Sequence, residues 1–338
     1  MNKVNKDYLE RVGDIDINDI IDCTANLYNL EIDHYNVIEQ GYEDLNLKLV
    51  TNKGKFLLKV FNKERKDDEC SDIVNRFLDA KCHGVSVPSI FLNKNKQIIT
   101  NKKIKDINLK LFLMEFINGS DFTKLGRTLV KDEIYQLVQN MKKLNQINNI
   151  YKKIYNAWEV NNFAVEYENS FDLLDEDIKN ELNPIYNKFK LINFDKLPIA
   201  YIHGDINSGN TMKDNNGQII LLDFCTSNYS NRINELLTIC GSSLIIDTTS
   251  ENNTKQNINA IFNIWCQEFN ATELEKKYFP FLLLVQTALN YLQAYCENKK
   301  GNQTAENFDN LKEDYFALKL TSNMCAEQKD CELRTLWK

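Results

Sequence analysis

Eight residues, His203 to Asn210, constrain this chain more strongly than any other segment. They read His-Gly-Asp-Ile-Asn-Ser-Gly-Asn and lie between two apolar stretches, 197–202 and 218–222, whose composition is typical of buried strands. Asp223 follows the second stretch directly. The pattern predicts a strand–loop–strand unit with an acid and an amide in its loop and a second acid at the end of its last strand.

The spacing of these polar side chains is typical of phosphoryl transfer. In a kinase catalytic loop, an Asp accepts the proton of the attacking hydroxyl, and an Asn five residues later holds Mg²⁺. Asp205 would be that catalytic base, and Asn210 and Asp223 would supply the oxygen ligands that Mg²⁺ prefers. His203 would brace the catalytic loop through hydrogen bonds. Three fixed residues can also match by chance in an Asn-rich chain, although the flanking strands favour the functional interpretation.

Lys59 is a second candidate, because it lies in an apolar strand, 56–61, where a cation needs a partner. In kinases a strand lysine contacts the α- and β-phosphates of ATP and pairs with a glutamate of the next helix. Glu69 is the predicted partner, with Glu64 as a weaker candidate. The alternatives are a lysine directed to solvent and, for Glu69, a solvated acidic helix face.

The nucleotide base is expected at a hinge, residues 114–119. The residues predicted to contact adenine are Met114, Glu115, Phe116 and Ile117. Ordinary strand core would explain the same residues. The loop over the phosphates is less distinctive, because Gly41 is the single glycine between residues 37 and 49. Backbone N–H groups there could meet phosphates, or the segment could be an ordinary hairpin turn.

Composition excludes several classes of protein. A length of 338 residues with 43% hydrophobic residues is sufficient for two domains with buried cores. The net charge of −7 disfavours general nucleic-acid binding, which needs a basic face. The nine cysteines form no Cys-x-x-Cys pair, as expected of free thiols in a reducing compartment. Without a signal segment or a spanning apolar run, we expect a cytoplasmic protein with no membrane partner.

Hydrophobic periodicity predicts an α+β chain with a small β-sheet lobe followed by a mostly helical lobe. Helices are predicted over 17–28, 67–82, 129–147, 233–244, 257–268, 273–297 and 306–324, and strands over 37–38, 45–50, 56–61, 97–101 and 109–116. Residues 1–113 would form a nucleotide-binding lobe with a leading helix. Residues 114–119 would form the hinge, and 120–338 the catalytic and substrate lobe.

An acidic segment, 159–181, is predicted to be an irregular insertion or a mobile helix pair. The polar and aromatic side chains in and beside it are Trp158, Glu159, Glu166, Glu168, Asp172 and Asp175. A tryptophan beside carboxylates would suit an amine-bearing alcohol through cation–π contact and charge. A solvated acidic surface is the alternative.

Together these motifs resemble those of the aminoglycoside phosphotransferase and choline kinase superfamily, a small-molecule branch of the protein-kinase-like fold. His203 to Asn210 and Asp223-Phe224 match its His-Gly-Asp-x-x-x-x-Asn and Asp-Phe motifs. The likeness also includes Lys59, Glu69 and the run Gly84–Pro88. The segment 42–46 is similar to a loop of homoserine kinase-like and hydroxylysine kinase-like members.

Two departures from the family pattern stand out. Cys225 follows Asp223-Phe224 where protein kinases have Gly, and small-molecule members vary at that position. Asn234-Glu235 stands where the family has an Asp-Leu-Ala element. The sequence therefore does not determine how the C-terminal lobe packs at this position.

The resemblance implies a bilobal kinase that uses ATP and Mg²⁺ and transfers the γ-phosphate to a small, hydroxylated, cationic substrate. Homoserine, amino alcohols, choline and aminoglycosides all remain open as acceptors, and the protein would be a monomer or a homodimer. The alternatives are a Ser/Thr protein kinase-like regulator, disfavoured by the absence of an Ala-Pro-Glu signature, and a nucleotide-binding pseudokinase.

Overall fold

The computed structural model describes residues 11–38, 44–301 and 305–328. The chain divides into two compact units, Met1–Gly119 and Ser120–Lys338. The first contains an antiparallel sheet and the second is mostly helical, so the predicted α+β, kinase-like class is confirmed. The division falls at the end of the predicted hinge, while the roles assigned to the two units stay predictions.

The first unit is built on a six-stranded antiparallel sheet. Its strands are β1 (Ile32–Ile38), β2 (Leu45–Thr51), β3 (Gly54–Val60), β4 (Ile90–Phe91), β5 (Thr100–Ile104) and β6 (Ile107–Glu115). The order is β1-β2-β3-β6-β4, and β5 pairs with β6. The hairpin predicted at residues 52–54 joins β2 to β3, with Thr51 opposite Gly54. Gly54 has a φ of 116°, which a side chain would strain.

Within the described residues of this unit, two helices have the predicted bounds: α1 (Ile17–Tyr28) and α2 (Asp67–Cys82). Asp16 caps α1 by accepting a hydrogen bond from the Asn18 N–H, and Asn29 ends it in the left-handed conformation. The apolar face of α1 packs with alternate residues of β2, β3 and β6 in one core. This core sets the register in which β3 presents Lys59.

The second unit carries two small antiparallel sheets around the His203–Asn210 loop. Its strands are β7 (Gly119–Asp121), β8 (Ile199–Ile202), β9 (Thr211–Asp214), β10 (Ile219–Leu221) and β11 (Asn228–Asn231). One sheet has the order β10-β9-β7, and the other pairs β11 with β8. The strands expected on both sides of the loop are present as β8 and β10, whereas the short strands β9 and β11 were not predicted.

Helices make up the remainder of this unit. They are α3 (Phe122–Leu125), α4 (Lys131–Leu144), α5 (Phe163–Ser170), α6 (Glu176–Phe189), α7 (Ile233–Cys240), α8 (Glu251–Phe269), α9 (Glu273–Lys299) and α10 (Ala305–Gln328). The apolar run 279–285 is buried within α9, apart from the half-buried Pro280, as its composition predicts. In the described ranges no helix combines the length and apolarity needed to cross a bilayer.

The segment 159–181 forms a pair of helices, one of the two predicted alternatives, and is not irregular. It contains α5, the start of α6 and two short 3-10 turns, and Phe163 and Tyr167 bury their rings in the unit. Phe163 also packs edge-on against Phe189 of α6. Most of the acidic residues lie on the outer face of the segment, and aromatic residues pack on its inner face. The two helices are therefore amphipathic.

The buried core of the first unit is expected to contribute to the free energy of unfolding. Leu47 is completely buried in β2, whereas Leu92 is 55% exposed just after β4. Replacing Leu47 with Ala leaves a cavity and should lower the free energy of unfolding by about 2–5 kcal/mol. The matched change Leu92→Ala should alter it by no more than about 0.5 kcal/mol. Denaturant titration of both variants measures the difference, and equal midpoints would contradict this core.

Candidate active site

The His203–Asn210 loop is tied to the strand that ends before Asp223. The Leu222 N–H donates a hydrogen bond of 2.9 Å to the carbonyl of Asn210. Thr211 and Leu221 are paired across β9 and β10, directly beyond that bond. Asn210 and Asp223 therefore lie at the same end of one hairpin, as the strand–loop–strand prediction requires.

Asp205 is held by two side-chain amides within the loop. Its Oδ1 accepts from Asn207 Nδ2 at 2.7 Å, and its Oδ2 accepts from Asn210 Nδ2 at 2.7 Å. Asn207 Oδ1 in turn accepts the backbone N–H groups of Gly209 and Asn210. These bonds fix the orientation of the carboxylate without neutralising it.

His203 is fully buried and uses both ring nitrogens inside the protein. Nε2 donates to the Leu222 carbonyl at 2.8 Å, so Nδ1 is the unprotonated nitrogen that faces the Asp205 N–H at 3.3 Å. Burial lowers the pKa of His203 to about 4, which keeps the ring neutral. This arrangement is consistent with the bracing role predicted for His203, while the role of Asp205 as the base stays a prediction.

Glu235 is a residue whose contribution sequence reasoning missed. It is 1% exposed on α7, and its two carboxyl oxygens accept the backbone N–H groups of His203 and Gly204. Burial raises the pKa of Glu235 to about 8, although the two amide bonds act in the opposite direction. The open question about packing at Asn234-Glu235 is thus answered, because this acid holds the loop backbone. The sequence signal that could have indicated this role is the presence of an acidic residue within the largely apolar segment 233–240.

Asp223 adopts a left-handed backbone conformation, with a φ of 54°. Its Oδ1 accepts the Cys225 N–H at 3.1 Å, which is a local turn of the kind that Asp tolerates. Within 11–38, 44–301 and 305–328 no three or more His, Cys, Asp or Glu side chains gather closely enough to hold a metal. The predicted ligand pair instead combines this carboxylate with the amide oxygen of Asn210.

In the first unit, Lys59 is 7% exposed, so its amine is not directed into bulk solvent. Nζ lies 3.3 Å from a carboxylate oxygen of Asp44, which is also buried. The other Asp44 oxygen accepts from Arg65 Nε at 2.9 Å and from the Asn62 N–H at 3.0 Å. Asp44 is a second residue that the sequence did not single out as the partner of Lys59.

The structure places the other predicted nucleotide residues in local roles. Glu69 accepts the Lys66 N–H at 3.2 Å, an interaction that stabilises the start of α2, and its pairing with Lys59 stays a prediction. Met114 is buried in β6, and Glu115 exchanges hydrogen bonds with the backbone of Ser89. Contacts of Met114, Glu115, Phe116 and Ile117 with adenine stay predictions. The turn at Gly41 lies outside the described residues.

A cavity of about 470 Å³ opens beside Asp205 within the second unit. Its wall includes Gly204, Asp205 and Asn207 of the loop, side chains of α7 and α9, and Asn310, Glu313 and Asp314 of α10. None of the described residues that line it is basic. Burial, and then the neighbouring Glu313 carboxylate, raise the pKa of Asp314 to about 7, and burial also raises the pKa of Glu313. Four acidic side chains thus line the cavity, those of Asp205, Glu297, Glu313 and Asp314, and the raised pKa leaves Asp314 partly protonated near neutral pH.

Trp158 connects this cavity to the loop. Asn156 Nδ2 donates to the Gly204 carbonyl at 3.0 Å, and Asn156 Oδ1 accepts the Trp158 N–H at 3.0 Å. Among the six residues proposed in and beside the acidic segment, Trp158 lines the cavity. Glu159 is instead buried, where Ser230 and Asn234 donate to it. Glu159 thus stabilises the fold and is not part of the cavity wall.

A sequence profile described as the phosphotransferase enzyme family matches residues 34–257, more than half of the chain. The chain belongs to this phosphotransferase family. The superfamily suggested by the motifs is confirmed, and so is the prediction of a small-molecule phosphotransferase at the level of the family. No curated protein matches the chain in sequence.

Solved structures with the same fold are distant in sequence. An amicoumacin kinase in complex with AMP-PNP, Ca²⁺ and Ami is 15% identical, with a TM-score of 0.65 over 91% of this chain and 94% of that one. A microcompartment-associated aminopropanol kinase is 11% identical, with a TM-score of 0.62 over 92% and 98%. The choline kinase LicA from Streptococcus pneumoniae is 11% identical, with a TM-score of 0.56 over 91% and 99%. At these identities the likeness establishes the fold.

The anchoring of the loop by Glu235 is testable without an activity assay. Glu235→Ala leaves two buried backbone N–H groups without their acceptor, so the free energy of unfolding should fall by about 1–3 kcal/mol for each group. Glu235→Gln keeps one accepting oxygen and should lie between this variant and the wild type. Exchange of the His203 and Gly204 amides, measured by hydrogen–deuterium exchange, should accelerate in both variants. Unchanged exchange at these two amides would contradict the anchoring.

Proposed function

We propose that this protein transfers the γ-phosphoryl group of ATP, with Mg²⁺, to a hydroxyl group of a small cationic molecule. One observation carries the proposal: Asp205, fixed by two amides, lines a cavity whose described wall holds further acidic side chains and no basic one. Membership of a phosphotransferase family supports the reaction class. Neighbours of the same fold include an aminopropanol kinase and a choline kinase, whose named substrates are amino or ammonium alcohols.

Asp205 would act as the base of this reaction. The acceptor hydroxyl forms its bond to the γ-phosphorus while the bond from that phosphorus to the β–γ bridging oxygen breaks, and ADP leaves. The hydroxyl proton goes to the Asp205 carboxylate. Asn207 and Asn210 keep that carboxylate oriented, and His203, neutral and buried, holds the backbone beneath it. Little covalent work is needed from the protein beyond positioning and charge compensation.

The chemistry of the donor set fits a hard divalent cation. Asn210 directs its amide nitrogen to Asp205, which leaves its amide oxygen for a ligand role, and Asp223 at the same end of the hairpin contributes a carboxylate. Amide and carboxylate oxygens are ligands that Mg²⁺ accepts. Bound there, Mg²⁺ would neutralise charge on the phosphate oxygens. Nucleotide use is supported by the AMP-PNP and Ca²⁺ named for the amicoumacin kinase.

Lys59 would contact the phosphates of the nucleotide. Its ammonium group is shielded from solvent and oriented by Asp44, which is itself held by Arg65 and the Asn62 N–H. A lysine kept in one position loses less conformational entropy when phosphate binds than a free side chain would. Asp44 is the carboxylate beside Lys59 in this structure, and the pairing of Lys59 with Glu69 stays a prediction.

Asp205→Ala should abolish turnover while it preserves nucleotide binding. Loss of general-base catalysis reduces kcat by about 10²–10⁴-fold, whereas the residues proposed to hold nucleotide remain. The measurement is ADP release with a panel of amino alcohols and amino sugars, together with calorimetric titration of ATP. Asp177→Ala, an exposed acid on α6, serves as the control and should keep full activity. Comparable activity in Asp205→Ala would exclude this residue as the base.

Asp223→Ala should uncouple nucleotide binding from the metal. In the wild type, we expect added Mg²⁺ to tighten ATP binding, because the cation bridges the phosphates and the protein. In the variant, calorimetric titrations with and without Mg²⁺ should give the same affinity. A preserved metal effect would remove Asp223 from the ligand set.

The protein kinase alternative is tested separately, with radiolabelled ATP. Radiolabelled phosphate recovered in a protein fraction instead of a small molecule would favour that alternative.

A further inference from the structure

A continuous chain of hydrogen bonds runs beneath the predicted catalytic base, and all of its donors point in one direction. It begins on α9, where the side-chain amide of Gln293 donates to the Ala157 carbonyl at 3.3 Å. The N–H of the same peptide unit, that of Trp158, donates to Asn156 Oδ1 at 3.0 Å. Asn156 Nδ2 in turn donates to the Gly204 carbonyl at 3.0 Å.

The second half of the chain passes through the His-Gly-Asp motif itself. The Gly204 carbonyl and the Asp205 N–H belong to one peptide unit, and that N–H donates to His203 Nδ1 at 3.3 Å. The other ring nitrogen, Nε2, donates at 2.8 Å to the Leu222 carbonyl, in the peptide unit that precedes Asp223. Five hydrogen bonds therefore connect α9 to the backbone beside a predicted metal ligand.

The peptide unit before the base is held at both of its polar ends. A peptide group is planar, so holding its C=O and its N–H fixes the orientation of the whole plane. Asn156 holds the C=O end of this unit, and His203 holds the N–H end. The direction in which the Asp205 side chain leaves the backbone follows from that plane. Because each member of the chain accepts at one end and donates at the other, the bonds polarise and strengthen one another.

Asn156 belongs to none of the motifs that the sequence indicated, and it precedes Gly204 by 48 residues. It is 7% exposed and lines the cavity together with Trp158. A carboxamide carries an acceptor and a donor on one rigid group, which matches the Trp158 N–H on one side and the Gly204 carbonyl on the other. An aspartate has the same size, but its carboxylate would present an oxygen to that carbonyl in place of a donor.

We propose, on the basis of the kinase function proposed above, that Asn156 is a positioning residue for the phosphoryl transfer. It sets the orientation of Asp205 from the wall of the cavity, because one side chain holds both the peptide unit before the base and the backbone of Trp158. Loss of this contact lets the carboxylate turn away from the position that a reacting hydroxyl needs. The rate then falls while the groups that bind the substrates remain in place.

The test compares Asn156→Asp with a matched change beside it. Asn156→Asp keeps an oxygen to accept the Trp158 N–H and loses the donor to Gly204. The control is Asn162→Ala, because Asn162 Nδ2 donates to the Asn156 carbonyl at 2.8 Å and supports the same turn without belonging to the chain. The measurements are ADP release with ethanolamine, choline, homoserine and kanamycin as acceptor probes, calorimetric titration of ATP, and hydrogen–deuterium exchange of the Asp205 amide.

Asn156→Asp should lower kcat by about 10–100-fold, the loss expected when a reacting group is displaced by up to an ångström. KM and the affinity for ATP should stay near their wild-type values, because an equal loss in kcat and kcat/KM indicates an interaction that acts only in the transition state. Exchange of the Asp205 amide should accelerate in this variant. Asn156→Ala, which introduces no buried charge, is measured in parallel and should show the same fall in kcat. Asn162→Ala should keep the wild-type kcat and exchange.

Failure of this inference is distinguishable from failure of the kinase function. If the wild type releases ADP and both Asn156 variants match its kcat, or if Asn162→Ala loses as much, the inference is overturned and the kinase function stands. Absence of ADP release from the wild type with every probe would count against the kinase function. The exchange measurement then decides the inference, since faster exchange of the Asp205 amide in the Asn156 variants alone supports it and unchanged exchange overturns it.

Discussion

A buried carboxylate holds the loop on which the proposed chemistry depends. Glu235 accepts hydrogen bonds from two consecutive backbone amides, those of His203 and Gly204. Gly204 has a φ of 81°, and a Cβ at this position would lie 3.1 Å from the Thr226 carbonyl. The left-handed turn and the anchoring acid together fix the direction in which Asp205 leaves the backbone. The role of general base proposed for Asp205 requires one fixed position, because misplacement of a reacting group by an ångström reduces the rate sharply.

The cavity and the loop are parts of one hydrogen-bonded structure. Asn156 joins the Gly204 carbonyl to the backbone of Trp158, and Gln286 extends the connection to α9. Residues that would recognise a substrate are thus positioned by contacts with the residues that would act on it. Buried polar networks of this kind specify one arrangement, since each member loses its partner if another moves.

Much of the fold could be predicted from local patterns. The bounds of α1 and α2 match the hydrophobic periodicity, and the hairpin at residues 52–54 follows from its glycine. Short strands such as β9 and β11 were missed, because three or four residues carry too little pattern. The sequence left the acidic segment 159–181 open between an irregular insertion and a helix pair, because most of its charges face outward and the aromatic residues that bury the inner face are few.

Partners of functional residues were harder to predict than the residues themselves. The spacing of Asp205 and Asn210 lies within one loop, so the sequence by itself determined a candidate phosphotransferase site. The ion pair of Lys59 with Asp44 depends on the register of β2 and β3, in which Asn46 lies opposite Lys59. The hydrogen bonds of Gln286 to the Trp158 carbonyl and to Asn290 likewise join α9 to a distant segment. The tertiary structure alone decided these, because burial and hydrogen bonding between distant segments leave no periodic trace in a sequence.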